Sequence, residues 1–317
     1  MSLFAGRDTS GHLSEAIVHF NHALDKIDSE ASHAEVARAL FDGLNKIRTE
    51  WLLHQQDQQI CPDQQQQRPG EVKSFQLMIL NLLQPEAQSE PLMSSGLRSL
   101  VDLEPQIMNH DTLRRHRYRP EAPITPQLSR EATKEHRKLA NAWHDLETGR
   151  NPDILKRTAE LLYIVRSNIA HGEKTPYGSD LAKRKRDEQV CAVVVPLQLK
   201  LFDLLLDWPS RKLVVYGTLD PGQANHGVLA DVAGEWQECE LRGSIGLLHG
   251  LPVLSWNPNG AEVKAQLLSS SELPRRWEGI DAFEGNAYKR RLVPLITTTG
   301  ILVAYVYLSS RASYEVR

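Results

Sequence analysis

The apolar residues of this 317-residue chain change their period once, at Asp207-Trp208-Pro209-Ser210, and that change calls for two folding units. Upstream, apolar side chains recur every three or four residues, as on one face of a helix: Leu13, Ile17, Phe20, Leu24 and Ile27 are one stripe. Ser32 and Glu35 have capping-box spacing and open a second helix carrying Val36, Leu40, Phe41, Leu44, Ile47 and Trp51. Helical pattern returns over Val72–Leu83, Pro85–Pro126 reads as irregular, and a last helix from Val190 to Leu205 contains Pro196, which should kink it. Downstream of Lys212, short β-type segments at 212–216, 238–249, 262–268, 290–296 and 301–307 are separated by Gly and Pro turns. The expected fold class is α + α/β multidomain: an all-α helical bundle over 1–209 and a small mixed β-barrel or α+β domain over 210–317.

Composition excludes several classes. The hydrophobic share of 41% and charged share of 24% are those of a globular protein, and a net charge of −3 gives no global attraction to nucleic acid or anionic membrane. Cys61, Cys191 and Cys239 are scattered, with no CxxC spacing, against a disulfide framework or structural zinc site. No apolar run approaches the roughly 20 residues that span a bilayer. The expectation is a cytoplasmic protein that needs no metal or other cofactor and does not engage a membrane.

Within the helical part, Leu113-Arg114-Arg115-His116-Arg117-Tyr118-Arg119 interleaves basic and aromatic residues, as phosphate contact and base stacking require, or is a solvated loop. Lys183-Arg184-Lys185-Arg186 reads as an exposed linker between helices. Asn151-Pro152-Asp153 is a helix start, and the helix runs through Leu161 and Val165 to an end near His171-Gly172. Arg166 and His171, five apart, stand about 140° apart around an ideal helix and converge only if the helix stops at His171. An Arg followed at this distance by a His, in a late helix ending Asn168-Ile169-Ala170-His171-Gly172, resembles the HEPN family of helical domains. The resemblance implies a homodimer through the helical domain, with Arg166 and His171 cleaving or binding RNA. Ser167 stands where the family's active nucleases usually have Asn, Asp or His. The alternative is that the pair closes a helix end or supports the dimer.

In the C-terminal part, the run Lys212–Val215 stops at Tyr216-Gly217, and a polar loop follows with a second turn signal at Pro221-Gly222. Glycine permits positive φ and close backbone approach, so Gly217 marks a place where main-chain N–H groups can face a ligand. Glu284 lies between Phe283 and Gly285 near the end of a short helix, where an apolar setting would raise its pKa toward neutrality and suit a proton shuttle. Tyr216-Gly217-Thr218-Leu219 with Gly222 and Asn225-His226, then Ile280-Asp281-Ala282-Phe283-Glu284 with Tyr288-Lys289-Arg290, resemble the gamma-glutamylcyclotransferase-like family, most closely its gamma-glutamylamine cyclotransferase branch.

That resemblance implies a gamma-glutamyl substrate, with Glu284 as general acid/base releasing 5-oxoproline. It also implies substrate binding by Tyr216, Gly217, Thr218, Leu219, Asn225 and Tyr288, with Arg290 pairing inside the domain. Val263-Lys264-Ala265-Gln266 departs from the family's Val-x-Gly-Glu. Residues selecting the leaving group are expected in a loop over His249–Gly260.

Overall fold

The computed structural model describes residues 11–58, 70–83, 96–103, 125–148, 153–170, 181–248 and 250–310. Contacts group the chain up to Leu24 with the chain from Asp203 onward, and Asp25–Phe202 forms a second unit.

The described residues of the second unit are helical and include no strand. Helix α1 (Gly11–Asp28) ends within it, followed by α2 (His33–Gln58), α3 (Glu71–Leu82), α4 (Arg98–Val101), α5 (Pro126–Ala132), α6 (Lys134–Glu147), α7 (Ile154–Ala170) and most of α8 (Leu181–Leu205). The Ser32–Glu35 capping box forms: the Ser32 N–H and hydroxyl both reach the Glu35 carboxylate, at 3.3 and 2.9 Å. Helix α7 packs against α2, α3 and α6 through Leu155, Ala159, Leu162, Val165 and Ile169, all buried. One result differs from expectation. The basic run Lys183–Arg186 lies inside α8, which starts at Leu181; its backbone hydrogen bonds and the apolar face from Val190 onward extend the helix through it. Pro196 lies inside the same helix, where the sequence placed it.

The first unit is a six-stranded barrel of β1 (Lys212–Val215), β2 (Glu235–Leu248), β3 (Leu251–Trp256), β4 (Ala261–Ser269), β5 (Tyr288–Thr297) and β6 (Gly300–Ser309). The order is β3-β2-β4-β1-β6-β5, and a β2–β5 pairing at Glu240–Ile296 closes it. β1 runs parallel to β6 and antiparallel to β4, so the loop leaving β1 emerges between two strands already fixed in register. Helix α9 (Leu273–Glu284) packs by Leu273, Trp277 and Ile280 onto a core of Leu213, Val215, Leu219 and Leu268.

The part of α1 up to Leu24 groups with this unit and is joined to β5 by a polar tie. Asn21, fully buried, donates from Nδ2 to the Leu292 carbonyl and accepts from the Leu292 N–H, both at 2.9 Å. The side-chain amide thus acts as one more peptide group along β5. We expect Asn21→Ala to leave both Leu292 groups unsatisfied and cost about 2 kcal/mol, read as a lower midpoint in chemical denaturation.

Candidate functional site

A cavity of about 140 Å³ opens where β1 ends, bounded by residues 214–219, Asn225, Leu251, Pro252 and the C-terminal end of α9. Three local causes build it.

The first is the loop after β1. Asp220 N–H donates to the Gly217 carbonyl at 3.0 Å, and Asn225 folds back on Thr218 through a backbone bond of 2.9 Å and an Nδ2 to Oγ1 bond of 3.1 Å. His226 Nδ1 lies 3.1 Å from the Leu219 carbonyl, its ring against Trp236. These bonds occupy the loop's carbonyls and leave its donors. No described residue accepts from the N–H groups of Gly217, Thr218 or Leu219, all of which line the cavity. Gly217 is required by contact rather than by a positive φ: a Cβ there would stand 2.7 Å from Pro252 Cγ. Gly222, in the second turn, does take the left-handed conformation, at φ +82°. We expect Gly217→Ala to push the loop and β3 apart and lower turnover about tenfold to a hundredfold, measured as kcat/KM, with the fold retained by circular dichroism.

The second is the register of α9. Leu273, Trp277 and Ile280 are buried at steps of four and three, and Glu284 continues the same stripe, about 20° from Leu273 around the helix. The face that docks the helix therefore carries a carboxylate at its last turn. Gly285, at φ +64°, ends the helix there, a conformation that disfavours any side chain. Glu284 has no hydrogen bond or ion pair to a described residue, and burial pushes its carboxyl up to about 7.

The third is a set of phenols that hang β3 over the site. Tyr216 donates its hydroxyl to the Tyr307 carbonyl at 2.6 Å and accepts from Leu254 N–H at 3.2 Å, while Tyr288 donates to the Pro252 carbonyl at 3.1 Å. Burial raises the pKa of both hydroxyls, and both lie within the field of Glu284. Tyr307 in turn donates to Asp281 Oδ1 at 2.6 Å, and Asp281 holds Arg290 bidentately at 2.9 and 3.0 Å. The Arg290 guanidinium lies between Trp277 and Tyr305, 4.4 and 4.9 Å from their ring centres.

The expected residues Tyr216, Gly217, Thr218, Leu219, Asn225, Glu284 and Tyr288 thus line one cavity. The structure adds Leu251 and Pro252, which sit on strand β3 where a loop was expected. A short segment that carries Pro252 and is flanked by Gly250 and Asn257 gives little strand pattern; the pairing of Leu251 and Pro252 with Leu248 and Leu247 makes the strand. Tyr216 and Tyr288 commit their hydroxyls to backbone groups, so what they present to the cavity is ring.

Residues 213–316 match the family model for gamma-glutamyl cyclotransferase, AIG2-like. This region is an AIG2-like gamma-glutamyl cyclotransferase domain. Among solved structures, YkqA from Bacillus subtilis is 26% identical over 32% of this chain and 36% of its own, with a TM-score of 0.28. This chain therefore spans about a third of that protein. An AIG2-like protein from Mus musculus is 21% identical over 32% of this chain and 79% of its own, TM-score 0.27, and an uncharacterized protein from Pyrococcus horikoshii is 24% identical over 33% and 82%, TM-score 0.26. A search of curated proteins gave no match.

A second, larger cavity of about 580 Å³ lies beside the AIG2-like site, lined by Asp220, Glu238, Glu240, Lys264 and Gln266 with the buried thiol of Cys239. It includes neither Glu284 nor the loop donors of residues 217–219. The departure from the family pattern at Ala265-Gln266 falls on its wall.

Of the helical pair, Arg166 is half-buried in α7, 3.7 Å from Glu71 and stacked on Tyr163 at 5.6 Å. The Tyr163 hydroxyl donates to the same carboxylate at 2.5 Å. His171, the basic cluster at 113–119 and the start signal at Asn151-Pro152 lie outside the described residues. No described helix is long and apolar enough to cross a membrane.

Proposed function

We propose that the AIG2-like domain cyclises γ-glutamyl amides, releasing 5-oxoproline and a free amine. The observation that carries this reading is the pairing, across one small cavity, of a carboxylate that burial pushes up to about 7 with three backbone N–H groups that lack acceptors among the described residues. Glu284 in its ionised form takes a proton from the substrate's α-ammonium group. The freed nitrogen attacks the γ-carbonyl carbon, a ring-forming C–N bond appears, and the carbonyl oxygen gains negative charge. N–H groups of residues 217–219 would hold that oxygen, or the α-carboxylate, by charge-assisted hydrogen bonds. The ring nitrogen then gives up a second proton. Glu284 passes protons to the leaving nitrogen as the amide C–N bond breaks. Two protons leave the attacking nitrogen and two arrive on the departing amine, so none is exchanged with solvent overall. Because both reacting groups belong to one bound molecule, positioning supplies much of the acceleration.

The test is incubation of the full chain with a panel of γ-glutamyl amides and quantification of 5-oxoproline. Release from at least one member is expected. No release from any, with the protein folded, overturns the reading.

A further inference from the structure

The rim of the Glu284 cavity carries an identifying chemistry of its own. At about 140 Å³ the cavity falls below the roughly 300 Å³ at which pockets enclose a drug-sized ligand. The γ-glutamyl half of a substrate fills it, and the amine half has to cross the rim. Leu251 and Phe283 both line the cavity and are 48% and 46% exposed. Leu247, 76% exposed, pairs in register with the cavity residue Pro252, so the two side chains share a face of the β2–β3 hairpin. Ile245, 47% exposed, lies two residues along that face. Leu247 and Ile245 thus extend the Pro252 face of the hairpin, while Leu251, one residue before Pro252, lies on its other face. Large apolar side chains so exposed next to a cavity form the kind of patch that marks a binding surface. Among the described residues, Glu284 is the one charged residue lining the cavity. A cationic leaving group would find countercharges in the neighbouring cavity, on Asp220, Glu238 and Glu240.

We propose that the leaving amine carries an apolar body, aryl or branched alkyl, which lies over Leu247 and Phe283 while the γ-glutamyl group occupies the cavity. This rests on the cyclotransferase reading above, and the experiment separates the two. With the full chain, kcat/KM for 5-oxoproline release is compared between γ-glutamyl-2-phenylethylamide and the mono-γ-glutamyl amide of 1,4-diaminobutane. A preference of roughly tenfold to a hundredfold for the phenylethylamide is expected. The ratio should fall toward one in Leu247→Ser, whose side chain is too exposed to support the fold. Equal values overturn the proposal and leave the cyclotransferase reading standing. So does a preference for the diamine derivative, which would direct the leaving group to the acidic cavity. In parallel, calorimetry measures binding of both amides to Glu284→Gln. If neither these compounds nor any member of the panel is turned over, but the phenylethylamide binds more tightly and loses that advantage in Leu247→Ser, the rim assignment holds and the cyclotransferase reading falls. Binding that does not discriminate, or no binding of either amide, overturns the rim assignment.

Discussion

Glu284→Gln should lower 5-oxoproline release by about 10²- to 10⁴-fold, the range for loss of a positioned acid/base group, with little change in KM. The amide keeps the shape of the protonated acid but neither takes nor returns a proton. Wild-type turnover should rise with pH through about 7, because burial lifts the Glu284 carboxyl to about 7 and its ionised form is the base. The variant's residual rate should lack that inflection. Stability should move the opposite way. Between the ordinary carboxylate range and about 7, the folded chain holds a proton on Glu284 that the unfolded chain has released, so this group lowers stability as pH rises through that window. Glu284→Gln should therefore melt at a higher temperature than wild type at pH 8, with the gap narrowing toward pH 5. A variant that loses both activity and melting temperature at pH 8 would show that Glu284 supports the fold rather than the chemistry.

Asp281→Ala should be the most destabilising single change near the site, at about 2–3 kcal/mol in chemical denaturation. It strands the Arg290 guanidinium between Trp277 and Tyr305 and leaves the hydroxyl of buried Tyr307 without its acceptor. The Asp281 side chain is 41% exposed, which holds the cost to the lower part of the range for a broken buried pair. Asp281→Asn keeps an acceptor for Tyr307 and should cost less. Since Tyr307 also receives the Tyr216 hydroxyl on its carbonyl, the loss at Asp281 should reach the loop at 216–219 and lower kcat/KM as well. Turnover unchanged in a destabilised Asp281→Ala protein would show that this network braces the barrel without positioning the loop.

Much of this was legible in residues whose local chemistry leaves few choices. The period change at 207–210, the capping box at Ser32–Glu35 and the turn at Pro221-Gly222 depend on neighbours within a few positions, so the sequence alone specifies them. Glu284 was picked out by its neighbours Phe283 and Gly285 and by the motif around it; that it is carried inward on the stripe of Leu273, Trp277 and Ile280, while Phe283 stays 46% exposed, emerged only with the docked helix. Strand β3 was not legible, because Leu251–Trp256 is strand only through its pairing with β2 and the tyrosine bonds to Pro252 and Leu254. The tie between Asn21 and Leu292, 271 residues apart, lies beyond any local pattern. Tertiary structure also decided what Gly217 is for. Its need comes not from its own dihedral angle but from Pro252, a residue 35 positions later that a barrel closing through space brings against it.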